Sequence, residues 1–145
     1  MVFERSVTTD WEGGVLDGNG VAKAGSGAFS LPVAFANRIG DAGGKTSPEE
    51  LMAAAHAVCF AMALNGALGR KGAKAKKTHV TATVSADKGD TGIKIVSSKL
   101  KVLVEGLEGM PAADFPAFVK EADKGCPVSN AYRGTMQIDV EGSAK

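Results

Sequence analysis

Two thiols in this chain stand in opposite settings. Cys59 lies inside a long apolar run, after Ser47-Pro48-Glu49-Glu50-Leu51 and Ala55-His56-Ala57-Val58, and Cys126 sits in the turn Gly125-Cys126-Pro127. A buried helical cysteine is ordinarily an inert small hydrophobe. It becomes a nucleophile only as the thiolate, and burial alone pushes a thiol above its ordinary pKa of about 8.5. Cys59 therefore needs a positive charge beside it. Arg38, upstream, is the candidate, because a guanidinium stays charged and its planar fork of donors suits both a thiolate and oxygen ligands. Glu49 can hold that guanidinium through a two-pronged contact. Cys126 lies between Gly125, which can end a helix at positive φ, and Pro127, which can begin a short one. That places it at a helix N-cap, where backbone N–H groups favour a thiolate. One thiol has the setting of a reactant, the other that of its resolver.

The elements that must position these residues follow from periodicity and punctuation. Residues 2–12, 14–24 and 27–36 are short, partly alternating segments separated by Gly13-Gly14 and Gly25-Ser26-Gly27, the pattern of a three-stranded antiparallel meander. Asp17-Gly18-Asn19-Gly20 is a further turn signal inside the middle segment, and residues 40–45 form a loop. Ser47 as cap, Pro48 at the first helical position and Glu50 three residues after the cap then predict a helix from 48 to about 69. From Leu51 to Leu68 that helix is polar only at His56 and Asn65, so it has no polar face and calls for burial all round. The lysine-rich segment 73–77 reads as a solvated connection. Residues 78–87 and 92–105 alternate as a hairpin through Lys88-Gly89-Asp90-Thr91-Gly92. Residues 112–124 make an amphipathic helix with Phe115, Phe118, Val119 and Ala122 inward, stopped by Gly125, and 134–141 is a closing strand. The order is βββ-α-ββ-α-β, an α+β fold. Three strands cannot cover a helix that is apolar on every side, whereas a second copy of the chain can, so the pattern predicts a homodimer.

Bulk properties narrow the function classes. A chain of 145 residues fits one domain, 1–145, able to bury roughly two thirds of its unfolded surface. Seventeen basic residues against sixteen acidic ones create no field for a polyanion, so neither nucleic acid nor an anionic membrane is an expected partner. The first residues lack a secretory leader pattern, and no stretch approaches a membrane span, so the expected location is the cytoplasm. In a reducing compartment two cysteines 67 positions apart, with no Cys-x-x-Cys, point to reactive or metal-bound thiols before a permanent disulfide.

The stretch Thr46-Ser47-Pro48-Glu49-Glu50-Leu51-Met52-Ala53-Ala54-Ala55-His56-Ala57-Val58-Cys59-Phe60-Ala61-Met62-Ala63-Leu64 resembles the nucleophile helix of the OsmC/Ohr peroxidase family. Gly125-Cys126-Pro127-Val128-Ser129-Asn130 resembles that family's second-cysteine motif, and Trp11-Glu12-Gly13 with Phe35-x-x-Arg38 resembles the OsmC branch. The likeness runs along essentially the whole chain in order. It implies an intertwined homodimer with two central helices covered by sheet from both chains. It also implies a thiol peroxidase that reduces hydroperoxides with Cys59, Cys126, Arg38 and Glu49, without metal or flavin. Peroxide would convert Cys59 to a sulfenic acid, Cys126 would close a disulfide on it, and a dithiol of the lipoyl type would reopen that bond. The apolar helix and the Phe and Met residues favour organic hydroperoxides. Glu49 and Cys59 are ten residues apart on one helix, about 15 Å along its axis, so they cannot touch within a chain. Either Arg38 spans part of that gap or the site is shared between subunits.

Blander readings stand beside these. Glu50 serves the helix start, where acidic residues are favoured. His56, three residues before Cys59, is expected to be a satisfied core histidine rather than a base. Cys59, Cys126, His56 and His79 would compose a Cys2His2 zinc set, but only His56-x-x-Cys59 has suitable spacing and His79 falls in a strand. A non-catalytic stress or ligand-binding module on the same fold is the remaining alternative.

Overall fold

The computed structural model describes residues 1–145, which divide into two compact units, Met1–Leu51 and Met52–Lys145. In the first, strands β1 (Val7–Glu12), β2 (Asn19–Ala24) and β3 (Ser30–Val33) form an antiparallel meander in that order. The middle strand begins only at Asn19, because the chain turns tightly over residues 13–18. A Cβ at Gly18 would collide with the Gly14 and Glu12 carbonyls, so the turn needs glycine there. The third strand is shorter than expected. It stops at Val33, and Phe35–Ile39 form a one-turn helix, α1.

Helix α2 runs Pro48–Arg70, as its capping signals require. The Ser47 hydroxyl accepts the Glu50 N–H at 3.1 Å, the hydroxyl half of a capping box. In the second unit β4 (Lys74–Gly89) and β5 (Gly92–Glu108) form a long antiparallel hairpin, and β6 (Gln137–Ala144) adds to β5 in parallel. Residues 74–77, expected as part of a connection, are thus strand. Lys74 and Lys77 lie opposite Glu108 and Glu105, and cross-strand pairs of opposite charge favour the extended ladder. The helix expected over 112–124 is a 3-10 turn at Ala112–Asp114 followed by helix α3 (Phe115–Asp123), and the short helix expected to begin at Pro127 is α4 (Pro127–Tyr132).

The core of this unit stacks Phe60, Leu64 and Leu68 of α2 on Leu100, Val102 and Val104 of β5 and on Phe115 and Val119 of α3. His56, Phe60, Leu64 and Leu68 follow an i, i+4 rule, so one stripe of α2 is buried. The opposite side is bare. Val58 is 56% and Met62 71% exposed, and Ala54 and Ala55 beside them are exposed as well. A single chain therefore leaves uncovered a face that the sequence reading expected to be buried. By length and composition α2 is also apolar enough to cross a membrane, which corrects the expectation that no stretch is, although its buried stripe is that of a core helix.

Candidate active site

In the first unit Arg38 and Glu49 form a clamp. Arg38 occupies the last turn of α1, and Glu49 is the second residue of α2. Arg38 Nε donates to both carboxylate oxygens at 3.1 Å, and Nη2 donates to Oε1 at 2.6 Å. The side chains are 26% and 13% exposed. The Arg38 hydrogen bonds hold the Glu49 carboxyl below its ordinary range, outweighing the opposing effect of burial. The contact expected between these two residues is therefore present. A cavity of about 230 Å³ opens beside the clamp, lined by Trp11, Val33, Phe35, Arg38, Thr46 and Leu51 among others. It is an apolar hollow with one guanidinium in its wall.

In the second unit both cysteines are reduced and face each other at the start of α4. Cys126 is its N-cap, with an extended backbone and a sulfur that accepts the Ser129 N–H at 3.5 Å. Cys126 is fully buried, whereas Cys59 is partly exposed. Burial pushes the Cys59 thiol up, and the hydrogen-bonded Cys126 thiol pushes it further, while the Val128 N–H pulls the other way. The first amides of one short helix thus meet both sulfurs. The expected positive φ at Gly125 is absent. Instead Lys124 stays right-handed, the Gly125 N–H bonds the Ala122 carbonyl and the Cys126 N–H bonds the Asp123 carbonyl, so the chain tightens directly from α3 into the cap of α4.

Behind the thiols lies a buried polar chain that the sequence did not announce. His56 is wholly buried, with Nδ1 2.6 Å from Ser98 Oγ and Nε2 2.7 Å from Ser129 Oγ. Ser129 in turn donates to Asp123 Oδ1 at 2.5 Å, and Arg133 Nη2 donates to Asp123 Oδ2 at 2.6 Å. A carboxylate only accepts, so the single Ser129 proton goes to Asp123 and the Ser129 oxygen accepts from His56. That puts a proton on Nε2, and in the neutral ring Ser98 donates to Nδ1. His56 is the satisfied core histidine expected. Ser98, Asp123, Ser129 and Arg133 were missed, and the available signal was that Asp123 and Ser129 stand three residues either side of Cys126. His79 meets Glu105 on the sheet instead, and no three potential metal ligands come together, so the zinc set is not assembled.

Burial lowers the His56 pKa from an ordinary 6.5, ahead of the opposing pull of Asp123 and the further lowering by Arg133. Between the folded value and 6.5 the unfolded chain binds more protons, so stability rises with pH in that window and falls as pH drops below 6.5. The expected slope in urea unfolding from pH 7.5 to 5 is at most about 1.4 kcal/mol per pH unit, reduced in His56→Gln. A flat wild-type profile there would remove the neutral buried histidine from this description.

A family profile described as OsmC-like protein matches residues 40–141. Peroxiredoxin OsmC of Escherichia coli K12 is 36% identical over 143 residues, covering 97% of this chain and 98% of that one. Organic hydroperoxide resistance protein OhrA of Bacillus subtilis 168 is 38% identical over 98 residues, 66% of each chain. Among solved structures, an organic hydroperoxide resistance protein OsmC from Legionella pneumophila superposes with a TM-score of 0.74 at 27% identity, over 95% of this chain and 96% of that chain. The profile match, the near full-length relative and the shared α+β architecture agree, and the chain belongs to the OsmC-like protein family.

Proposed function

We propose that this chain is a cysteine peroxidase that reduces hydroperoxides, organic ones foremost. One observation carries the reading: two reduced thiols, one partly open and one buried, meet at the amide-rich start of α4. The Cys59 thiolate attacks the O–O bond, giving a Cys59 sulfenic acid and an alkoxide that leaves as the alcohol with a proton from water. Cys126 then attacks the Cys59 sulfur, the S–S bond forms, and the hydroxyl departs as water with the Cys126 proton. An external dithiol, of the lipoyl type implied by the family resemblance, exchanges with the disulfide and leaves oxidised. Electrons balance among thiols, peroxide and dithiol, and no step calls on a metal or flavin.

Arg38 is assigned the charge that Cys59 lacks in its own surroundings, and Glu49 the task of aiming it. The apolar hollow beside Arg38 suits the carbon skeleton of an organic hydroperoxide. Residues 1–145 act in this reading as one domain, in the cytoplasm. The bare face of α2 supports a homodimer, since covering what Val58 and Met62 still expose gains about 1–2 kcal/mol per side chain. Sedimentation at low micromolar concentration is expected to give a dimer whose association and fold are lost together. A compact folded monomer would contradict it. The activity is tested by steady-state consumption of cumene hydroperoxide with dihydrolipoamide as reductant. Turnover with loss of one dithiol per peroxide is expected, and a Cys59 inert toward peroxide would favour the non-catalytic module.

A further inference from the structure

We propose that Ser129 is a positioning residue for closure of the disulfide: its backbone N–H on Cys126 and its hydroxyl between His56 and Asp123 lock α4 so that the Cys126 sulfur stays against Cys59. The inference rests on the peroxidase reading and adds to it what governs the second step.

The argument begins with length. A helix of six residues does not hold itself together in water, so α4 lies where tertiary contacts put it. Those contacts converge on one carboxylate. Asp123 accepts from Ser129, the third residue of α4, and from Arg133, the residue just past its last turn, so both ends of the helix are tied to a group 6% exposed. The same Ser129 hydroxyl accepts from His56, which lies on α2 three residues before Cys59 and hence on nearly the same face. Tyr132 adds a second tie, its hydroxyl donating to the Met52 carbonyl of α2 at 3.1 Å. A single residue therefore links the helix that carries Cys59, through its side chain, to the sulfur of Cys126, through its N–H at 3.5 Å.

The chemistry makes such a link matter. In the condensing step the Cys126 sulfur must approach the Cys59 sulfur opposite the departing oxygen, and the bond that forms tolerates only a narrow range of Cβ separations. Misplacement of a reacting atom by about 1 Å is worth up to a hundredfold in rate. Peroxide attack forms no bond to Cys126; it draws on α4 only through the Val128 N–H and needs that helix held less tightly than disulfide closure does. The two steps are therefore expected to respond differently to the loss of the Ser129 hydroxyl.

Ser98 provides the control. Its hydroxyl is as buried as that of Ser129 and as close to the same histidine, yet it lies on β5 and makes no contact with α4 or Cys126 beyond that histidine. The experiment is a rapid-quench single turnover with one equivalent of cumene hydroperoxide on full-length wild type, Ser129→Ala and Ser98→Ala. Sulfenic acid, disulfide and sulfinic acid are quantified by mass spectrometry. The expected result is Cys59 oxidation within about twofold of wild type in both variants, with disulfide closure slowed at least tenfold, and more sulfinic acid, only in Ser129→Ala. If Ser129→Ala does not fold, Asp123→Asn, which keeps an acceptor for Ser129 but weakens the Arg133 tie, is expected to show an intermediate slowing. Equal slowing in Ser129→Ala and Ser98→Ala, or closure at the wild-type rate in Ser129→Ala, or in Asp123→Asn where it stands in, would overturn the proposal while leaving the peroxidase reading intact. Absence of any Cys59 oxidation in wild type would instead bring down that reading, and this inference with it.

Discussion

Cys59→Ser is expected to abolish hydroperoxide consumption, a loss of at least about a thousandfold, because a serine hydroxyl is not ionised at neutral pH and cannot form the sulfenic acid. Cys126→Ser is expected to behave differently. It keeps an N-cap acceptor for the Ser129 N–H, so α4 should persist, and Cys59 remains free to react once. Without a neighbouring thiol the sulfenic acid has no resolving partner in the chain. Further peroxide then drives it up the oxidation ladder to the irreversible sulfinic acid. The measurement is peroxide consumed per chain, with the Cys59 oxidation state read by mass. Equal loss of the first turnover in the two variants would refute the assignment of reactant and resolver.

Arg38→Met is expected to slow peroxide attack at pH 7 by tenfold to a hundredfold. Burial and the neighbouring thiol push Cys59 up, and the Val128 N–H opposes them alone within that unit. The guanidinium favours the thiolate, so its removal is expected to lower the thiolate fraction and the rate with it. Lysine should restore only part of the rate, since a point charge cannot reproduce the fork that meets Glu49 through two nitrogens. Glu49→Gln should give a milder defect by loosening Arg38. Because Arg38 holds the Glu49 carboxyl below 4.5, what the pair adds to stability is present above 4.5 and is lost as pH falls through the lower folded value. The clamp is therefore intact across the working range. The pair is partly exposed, so breaking it should cost no more than about 1 kcal/mol of stability. The check is the pH dependence of Cys59 alkylation and of single-turnover peroxide reduction in wild type and the three variants. Unchanged profiles in Arg38→Met would remove arginine from the mechanism and leave the amides of α4 as the only stabilisers of the thiolate.

The parts of this protein visible in the sequence are those set by local rules. Ser47-Pro48 and Glu50 mark the start of α2 because capping is decided within four residues, and Gly125-Cys126-Pro127 marks the cap of α4 for the same reason. Alternation exposed the hairpin of β4 and β5, although a lysine run concealed its first turn of strand. Helix α1 stayed hidden because five residues are too few to show a helical period. Gly125 misled for a different reason. A glycine after a helix permits a left-handed cap without requiring one, and here the chain had to pass directly into Cys126. The His56 chain was out of reach because its members come from α2, β5 and the two sides of the Cys126 turn, and small polar residues carry no sign of partners 42 or 73 positions away. Arg38 and Glu49 could be paired in advance because a permanent cation near a helix-start carboxylate has few better partners.

The central claim is that Cys59 and Cys126 are the two ends of one redox couple. Its most direct measurement is mass spectrometry of the reduced protein after one equivalent of hydroperoxide, digested under conditions that block thiol exchange. The account predicts a cross-linked peptide pair joining Cys59 to Cys126 within one chain, two mass units lighter than the reduced pair and restored by a dithiol. Two free thiols after the peroxide has been consumed, or a disulfide joining different chains with Cys126 untouched, would contradict it.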